Sequence, residues 1–200
     1  INKATITVTT SPKQFTYDPQ AGDELAYPAT ESDPGYAVSG LVTPAGGEQE
    51  TLGVELTGKV ANAAGKTASN SYALTWAAEG NGYTAKASNY TVEGDEGALS
   101  VVAATDNAVN ILNASDLVKT YDGNPMALRA EAKPGSTLLY SVDGGEWTED
   151  VPTYTDAQSH KVSVKATNPN YTDTPAVDVT MTINKATITV TTSPKQFTYD

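Results

Sequence analysis

The sequence predicts an all-β protein, and three observations carry that prediction. Thr, Val, Ala and eleven Tyr dominate a chain in which Phe and Trp together supply four side chains, the composition of pleated strands over thin cores. Apolar residues alternate with polar ones, as β-strands with one buried face require. Turn signals punctuate the alternation at intervals of about 8 to 12 residues, the spacing of short antiparallel strands.

Taken in order, "ATITVTT" sends Ile6 and Val8 to one face and Thr5, Thr7 and Thr9 to the other, and "SYALTWA" places Tyr72, Leu74 and Trp76 together. "HKVSVKA" repeats the pattern with Val162 and Val164, and "AVDVTMTI" with Val177, Val179, Met181 and Ile183. Between them lie "AEGNGY" at 78–83, "YDGNP" at 121–125, "VDGGEW" at 142–147 and "NPNY" at 168–171. Asp-Gly and Asn-Gly pairs there supply the positive φ that tight hairpins demand. The segment 105–118, "TDNAVNILNASDLV", comes nearest to a helical stripe, yet its Val, Ile and Asn content favours a strand.

The organisation is repetitive. Residues 183–200 copy residues 1–18 letter for letter, an offset of 182 residues. Selection for strand pattern alone would not preserve every exposed Thr and Lys, so the chain reads as one period of a tandem array followed by the first strands of the next copy. A fainter echo lies inside the period: "QFTYDPQ" at 14–20 matches "VKTYDGN" at 118–124, and "AKASNYT" at 85–91 matches "VKATNPNYT" at 164–172. Two related modules are therefore expected, at 1–105 and 106–184, with 185–200 opening a further copy. Tyr17 and Tyr90 are 73 residues apart, Tyr121 and Tyr171 only 50. The 23 additional residues of the first module are expected as added strands or a long loop near 28–68. Each module is expected to be an immunoglobulin-like antiparallel β-sandwich, with a β-grasp layout as the alternative. The linker Asn184–Ala186 is too short to wander, which predicts modules arranged end to end as a stiff rod. An isolated copy of the opening strands has unpaired backbone groups. Residues 185–200 are therefore expected either to prolong the preceding strand or to pair with a neighbouring molecule.

Charge and composition exclude several functions. Twelve Lys and Arg face twenty-four Asp and Glu, a net charge of −12 with pI near 4.4. Such a surface repels nucleic acid and anionic lipid. Cysteine is absent, which removes disulfides, thiolate metal sites and cysteine nucleophiles together. No run reaches the ~20 apolar residues of a bilayer span, so no membrane insertion is expected of this segment.

The stretches "KTYDGNP" at 119–125, "LYSVDGGEWTEDVPTYTDAQSHKVSVKATNPNY" at 139–171 and "VTMTINKATITVT" at 179–191 resemble the YDG and MBG repeat domains of large Gram-positive surface proteins. The resemblance covers roughly residues 110–192 and, more loosely through "FTYDP" and "SNYTVEG", residues 1–105. It implies a cell-wall-attached, extracellular adhesin in which such repeats form the stalk or bind ligands. Tyr17, Asp18, Tyr121, Asp122 and Gly123 carry the motif; Pro19 stands in the first module where Gly123 stands in the second.

Candidate chemistry is sparse. His160 is the sole histidine and no G-x-S-x-G elbow accompanies it, so a non-enzymatic protein is expected. The acidic runs "EGDEG" at 93–97 and "ESDPGY" at 31–36 offer oxygens to Ca²⁺ without a calcium-loop spacing, and read otherwise as solvated turns. Lys3, Lys119 and Lys165 are candidates for a Lys–Asn cross-link in an apolar core, or for ordinary outward-facing residues. Trp147 follows a hairpin turn, and with Tyr140 and Tyr154 could present a flat aromatic face to a sugar ring; Tyr and Trp also serve as the large core residues of a Phe-poor sandwich. The expected partners are adjacent identical repeats and, in the alternative, a host glycan, mucin or protein held by avidity. No cofactor is expected.

Overall fold

The computed structural model describes residues 2–105, 116–173 and 175–199, with the backbone alone of Val109–Ile111. Among the described residues the regular structure is strand, apart from one 3-10 turn at Ala87–Asn89. The chain divides into two compact units, Ile1–Asp106 with Pro169–Thr172, and Asn107–Asn168 with Asp173–Asp200. The short segment 169–172 thus belongs to the first unit although its sequence neighbours belong to the second. Most of 105–118 lies outside the described residues.

The first unit contains β1 (Ala4–Thr10), β2 (Lys13–Thr16), β3 (Glu24–Ala26), β4 (Tyr36–Ser39), β5 (Gly53–Leu56), β6 (Lys59–Ala61), β7 (Thr67–Ser69), β8 (Tyr72–Thr75), β9 (Tyr90–Asp95) and β10 (Ala98–Val102). Strand β1 lies between β4 and β9, and with the β5–β8 pair it encloses a core of Ile6, Val8, Ala85 and Tyr90. Strand β10 lies between β2 and β7, and with the β3–β6 pair it encloses a second core of Val60, Leu99 and Val101. Residues 28–68, where additional strands or a long loop are expected, hold β4, β5, β6 and the first two residues of β7.

Four chain segments run from one core to the other with a two-residue break: Ser11–Pro12, Thr57–Gly58, Asn70–Ser71 and Glu96–Gly97. A buried polar waist holds three of these breaks together. Thr10 Oγ1 donates to the Asn70 carbonyl at 2.7 Å and accepts from the Gly97 N–H at 2.9 Å, while Asn70 Nδ2 donates to the Ser11 carbonyl at 2.9 Å. The Asn70 N–H donates to Gly97 O at 2.7 Å. Pro12 cannot continue a ladder, and a Cβ at Gly97 would fall 2.5 Å from the backbone of Thr10 to Pro12. Pro12, and the close backbone approach at Gly97, thus mark where β1 and β9 break from β2 and β10.

The second unit contains β11 (Val109–Ile111), β12 (Leu117–Thr120), β13 (Met126–Ala127), β14 (Ala130–Ala132), β15 (Thr137–Val142), β16 (Thr153–Tyr154), β17 (Ser159–Thr167) and β18 (Val177–Asn184). A four-stranded sheet, β12-β18-β17-β15, is accompanied by the pairs β13–β16 and β11–β14. Its core gathers Leu128, Tyr140, Val162, Val164, Val179 and Met181, so the alternation read from "HKVSVKA" and "AVDVTMTI" gives the buried face of β17 and β18 except at Val177, expected on that face but 42% exposed at the first position of β18.

The all-β class stands as predicted, and the sheets add parallel pairings to the expected antiparallel ones. Strands β1 and β2 run parallel to β9 and β10, and β12 runs parallel to β18. In the first unit the opening and closing strands therefore point the same way, so the chain enters it at one end and leaves it at the other; in the second unit β11, paired antiparallel with β14, precedes β12. Residues 185–199 carry no strand, and Ile188 and Val190 are 87% and 81% exposed. The expected prolongation of the last strand is corrected here: β18 stops at Asn184. The identical heptapeptide at Ala4–Thr10 is a strand because β4 and β9 flank it, and both lie C-terminal to it in sequence.

Candidate functional site

The β15 hairpin of the second unit holds the candidate aromatic face. Asp143 and Gly144 both adopt positive φ, 51° and 77°, the geometry of the tight hairpin turn anticipated from Asp-Gly. The Asp143 side chain fixes the turn further: Oδ1 accepts the Lys161 N–H at 2.9 Å and Oδ2 lies 2.7 Å from His160 Nδ1. The His160 hydrogen bond, then the Lys161 amide, holds the Asp143 carboxyl below the usual carboxylate range. His160 also stacks on Tyr154, with centroids 4.0 Å apart and planes 13° off parallel, tying β17 to the β13–β16 pair. Burial, then the nearby Asp143 charge, raises the Tyr154 hydroxyl.

The three predicted contact residues separate. Tyr140 pairs through its backbone with Thr148 and is 4% exposed within the core, where burial raises its hydroxyl. Its role as a ligand contact is therefore corrected to packing, because alternation along β15 turns it inward. Tyr154 is half-buried beneath His160. Trp147 alone is open, at 39% exposure, with Lys165 Nζ 4.6 Å from its ring centroid. An exposed indole under a cation is an amphipathic surface able to stack on a flat polar ligand.

The Tyr-Asp motif forms turns. Asp122 Oδ1 accepts the Asn124 N–H at 3.0 Å and the Lys119 ammonium at 2.6 Å, and Lys119 also reaches the Asn124 carbonyl. These contacts, Lys119 first, lower the Asp122 carboxyl. Gly123 sits at φ 81° with open space around it, so backbone conformation alone demands glycine there. In the first unit Asp18 Oδ1 accepts the Gln20 N–H at 2.8 Å, and Asn62, in the bend that follows β6, donates from Nδ2 to the Asp18 carbonyl at 2.8 Å; the Pro19 turn is thus braced by a side chain distant in sequence. Tyr17 meets Tyr171 edge-on at 5.4 Å.

The remaining candidates take ordinary places. Glu93 to Asp95 lie in β9, and Asp33 accepts from the Tyr27 hydroxyl and the Gly35 N–H. Among the described residues no group of three or more His, Cys, Asp or Glu could hold a metal ion. Lys3 is exposed, Lys119 pairs with Asp122 and Lys165 covers Trp147. Sequence reasoning missed the Asp143–His160–Tyr154 clasp, since its members are brought together only by the register of β15, β17 and β16. Among the described residues no helix is long and apolar enough to cross a membrane.

Fold and site define an all-β protein of two compact units. Comparison with protein-family models and with curated proteins gives no match. Among solved structures the chain is similar to the fibronectin(III)-like modules of Clostridium thermocellum CbhA, at 17% identity and a TM-score of 0.30, over 40% of this chain and all of that one.

Proposed function

We propose that this chain is a repeat segment of the stalk of a bacterial cell-surface adhesin, built to carry tension and to hold a distal binding domain away from the wall. One observation carries the reading: in the first unit the opening strands β1 and β2 are hydrogen-bonded in parallel to the closing strands β9 and β10, and in the second unit β12, which follows β11, is hydrogen-bonded in parallel to the closing strand β18. Tension along the chain then pulls the two strands past each other. Every hydrogen bond of the ladder is loaded together, whereas an antiparallel terminal pair would open one rung at a time. Such shear resistance needs no disulfide, which suits a cysteine-free chain. The exact recurrence of residues 1–18 at 183–200 supports length set by copy number, and the resemblance to surface repeat domains supports the extracellular setting.

A second reading rests on Trp147 with Lys165: the repeats themselves bind a host glycan or protein, each copy weakly, with avidity summing the copies. A glycan array probed with the 200-residue chain separates the two. The stalk reading expects no saturable binding; saturable binding that disappears in Trp147→Ala favours the second.

A further inference from the structure

The two units carry equivalent surfaces, of which only one is filled. The ladders define the equivalence. Val102 lies opposite Thr16 and Asn184 opposite Thr120, and each carbonyl accepts the N–H of the following tyrosine, Tyr17 and Tyr121. Val101 N–H donates to Lys66 O as Ile183 N–H donates to Gln158 O. Counting outward from these pairs, Tyr17, Ala64, Gly65 and Ala104 of the first unit correspond to Tyr121, Asp156, Ala157 and Ala186 of the second.

In the first unit this surface is occupied by Asn170 and Tyr171. Asn170 Oδ1 accepts the Ala64 N–H at 2.9 Å, its carbonyl accepts the Ala104 N–H at 2.9 Å, and Tyr171 packs on Tyr17. Ala104 and Tyr171 form a parallel bridge. In the second unit the corresponding positions line an open cavity of about 410 Å³, bounded by Tyr121, Asp156, Ala157, Lys185, Ala186 and Ile188. The Asp156 N–H has no acceptor among the described residues.

The occupant is specified by the repeat. Ala186 is the copy of Ala4, and Ala4 pairs in parallel with Tyr90, just as Ala104 pairs with Tyr171. "SNY" at 88–90 is the echo of "PNY" at 169–171. We infer that the cavity beside Tyr121 receives the Ser88–Asn89–Tyr90 segment of the following copy of this repeat, with the Asn89 amide oxygen accepting the Asp156 N–H. The tyrosine ring does not transfer: Tyr90 stacks on Trp76 and bonds Glu50 in its own core. The contact is made by the asparagine and by the parallel bridge. It would join successive copies through a side chain as well as through the peptide linker.

This inference rests on the tandem reading, and the test separates the two. Amide hydrogen exchange is measured on the 200-residue chain and on a chain of two periods, in which residues 19–200 follow Asp200 again. Protection of the Ile188 and Val190 amides in the longer chain reports that the second copy folds; failure there contradicts the tandem reading itself. With the second copy folded, the Asp156 amide is expected to exchange about tenfold more slowly or better than in the single-period chain. Asn→Ala at position 89 of the second copy is expected to abolish that slowing. In the 200-residue chain, Asn170→Ala is expected to speed exchange at Ala64 by a similar factor. Equal Asp156 rates in the two chains, or protection that survives loss of the second-copy asparagine, overturns the docking.

Discussion

Ala4 and Tyr90 lie opposite each other in parallel strands, one at the start of the first unit's opening strand and the other at the start of β9. The ladder runs on to Thr9 opposite Asp95 and, beyond the waist, from Lys13 opposite Leu99 to Thr16 opposite Val102. This pairing makes Ile6 a core residue and leaves its sequence twin Ile188 in solvent.

Ile6 and Ile188 occupy identical heptapeptides at 0% and 87% exposure. Ile6→Ala is expected to destabilise the first unit by about 2 to 4 kcal/mol, through lost burial and the cavity left behind. Ile188→Ala is expected to change stability by no more than about 0.5 kcal/mol. Urea unfolding followed by Trp fluorescence checks the pair, and equal effects would mean the closing copy is packed.

Thr10 is the hub of the waist. Thr10→Val keeps the side-chain shape and removes both hydroxyl bonds, leaving the Gly97 N–H without its partner. The expected loss is about 1 to 3 kcal/mol, seen as a lower urea midpoint at unchanged slope. Thr5→Val, on the same strand but away from the waist, is expected to be nearly neutral.

Gly123 needs positive φ but no space. Gly123→Ala is expected to cost about 1 to 2 kcal/mol from backbone strain, and Gly123→Asn less, because asparagine tolerates that region. Matched unfolding curves for the two variants give the comparison; an Ala variant as stable as the parent would remove the conformational argument.

Acid should loosen the Asp143 clasp. Its carboxyl titrates lower in the folded state than the ordinary value of 3.8, held there by His160 and the Lys161 amide. A lowered folded pKa means the stabilisation is fully present above about pH 4 and fades as pH falls through the folded value. Asp143→Asn keeps the positive-φ turn and removes the titration. Parent and variant are expected to differ in stability at pH 6, and the gap is expected to narrow as pH falls below about 4. A gap that stays constant through the acid range would show that the charge is not its source.

What the sequence disclosed was local. The buried faces of β17 and β18 were visible as Val162, Val164, Val179 and Met181 because alternation is a property of one strand. The Asp143–Gly144 turn was visible because its chemistry lies in two adjacent residues. Partner choice was not visible: nothing within "ATITVTT" states that one neighbour runs parallel, since that depends on β9 far along the chain. The split of the first unit into two cores was written in Pro12, Gly58, Asn70 and Gly97, but as four isolated signals that acquire meaning only when the strands lie side by side. Tyr140 and Trp147 looked alike as aromatics beside one hairpin, and only the register of β15 decided which faced the core.

The central claim is that the parallel terminal ladder resists force in shear, and the absence of native cysteine lets attachment points be placed at will. Single-molecule pulling of the first unit through Asn2→Cys and Ala103→Cys loads the β1–β9 and β2–β10 ladders lengthwise. Pulling through Asn2→Cys and Asn89→Cys peels the same ladder from its Ala4–Tyr90 end. The account predicts a rupture force several-fold higher in the first geometry than in the second; equal forces in both would contradict it.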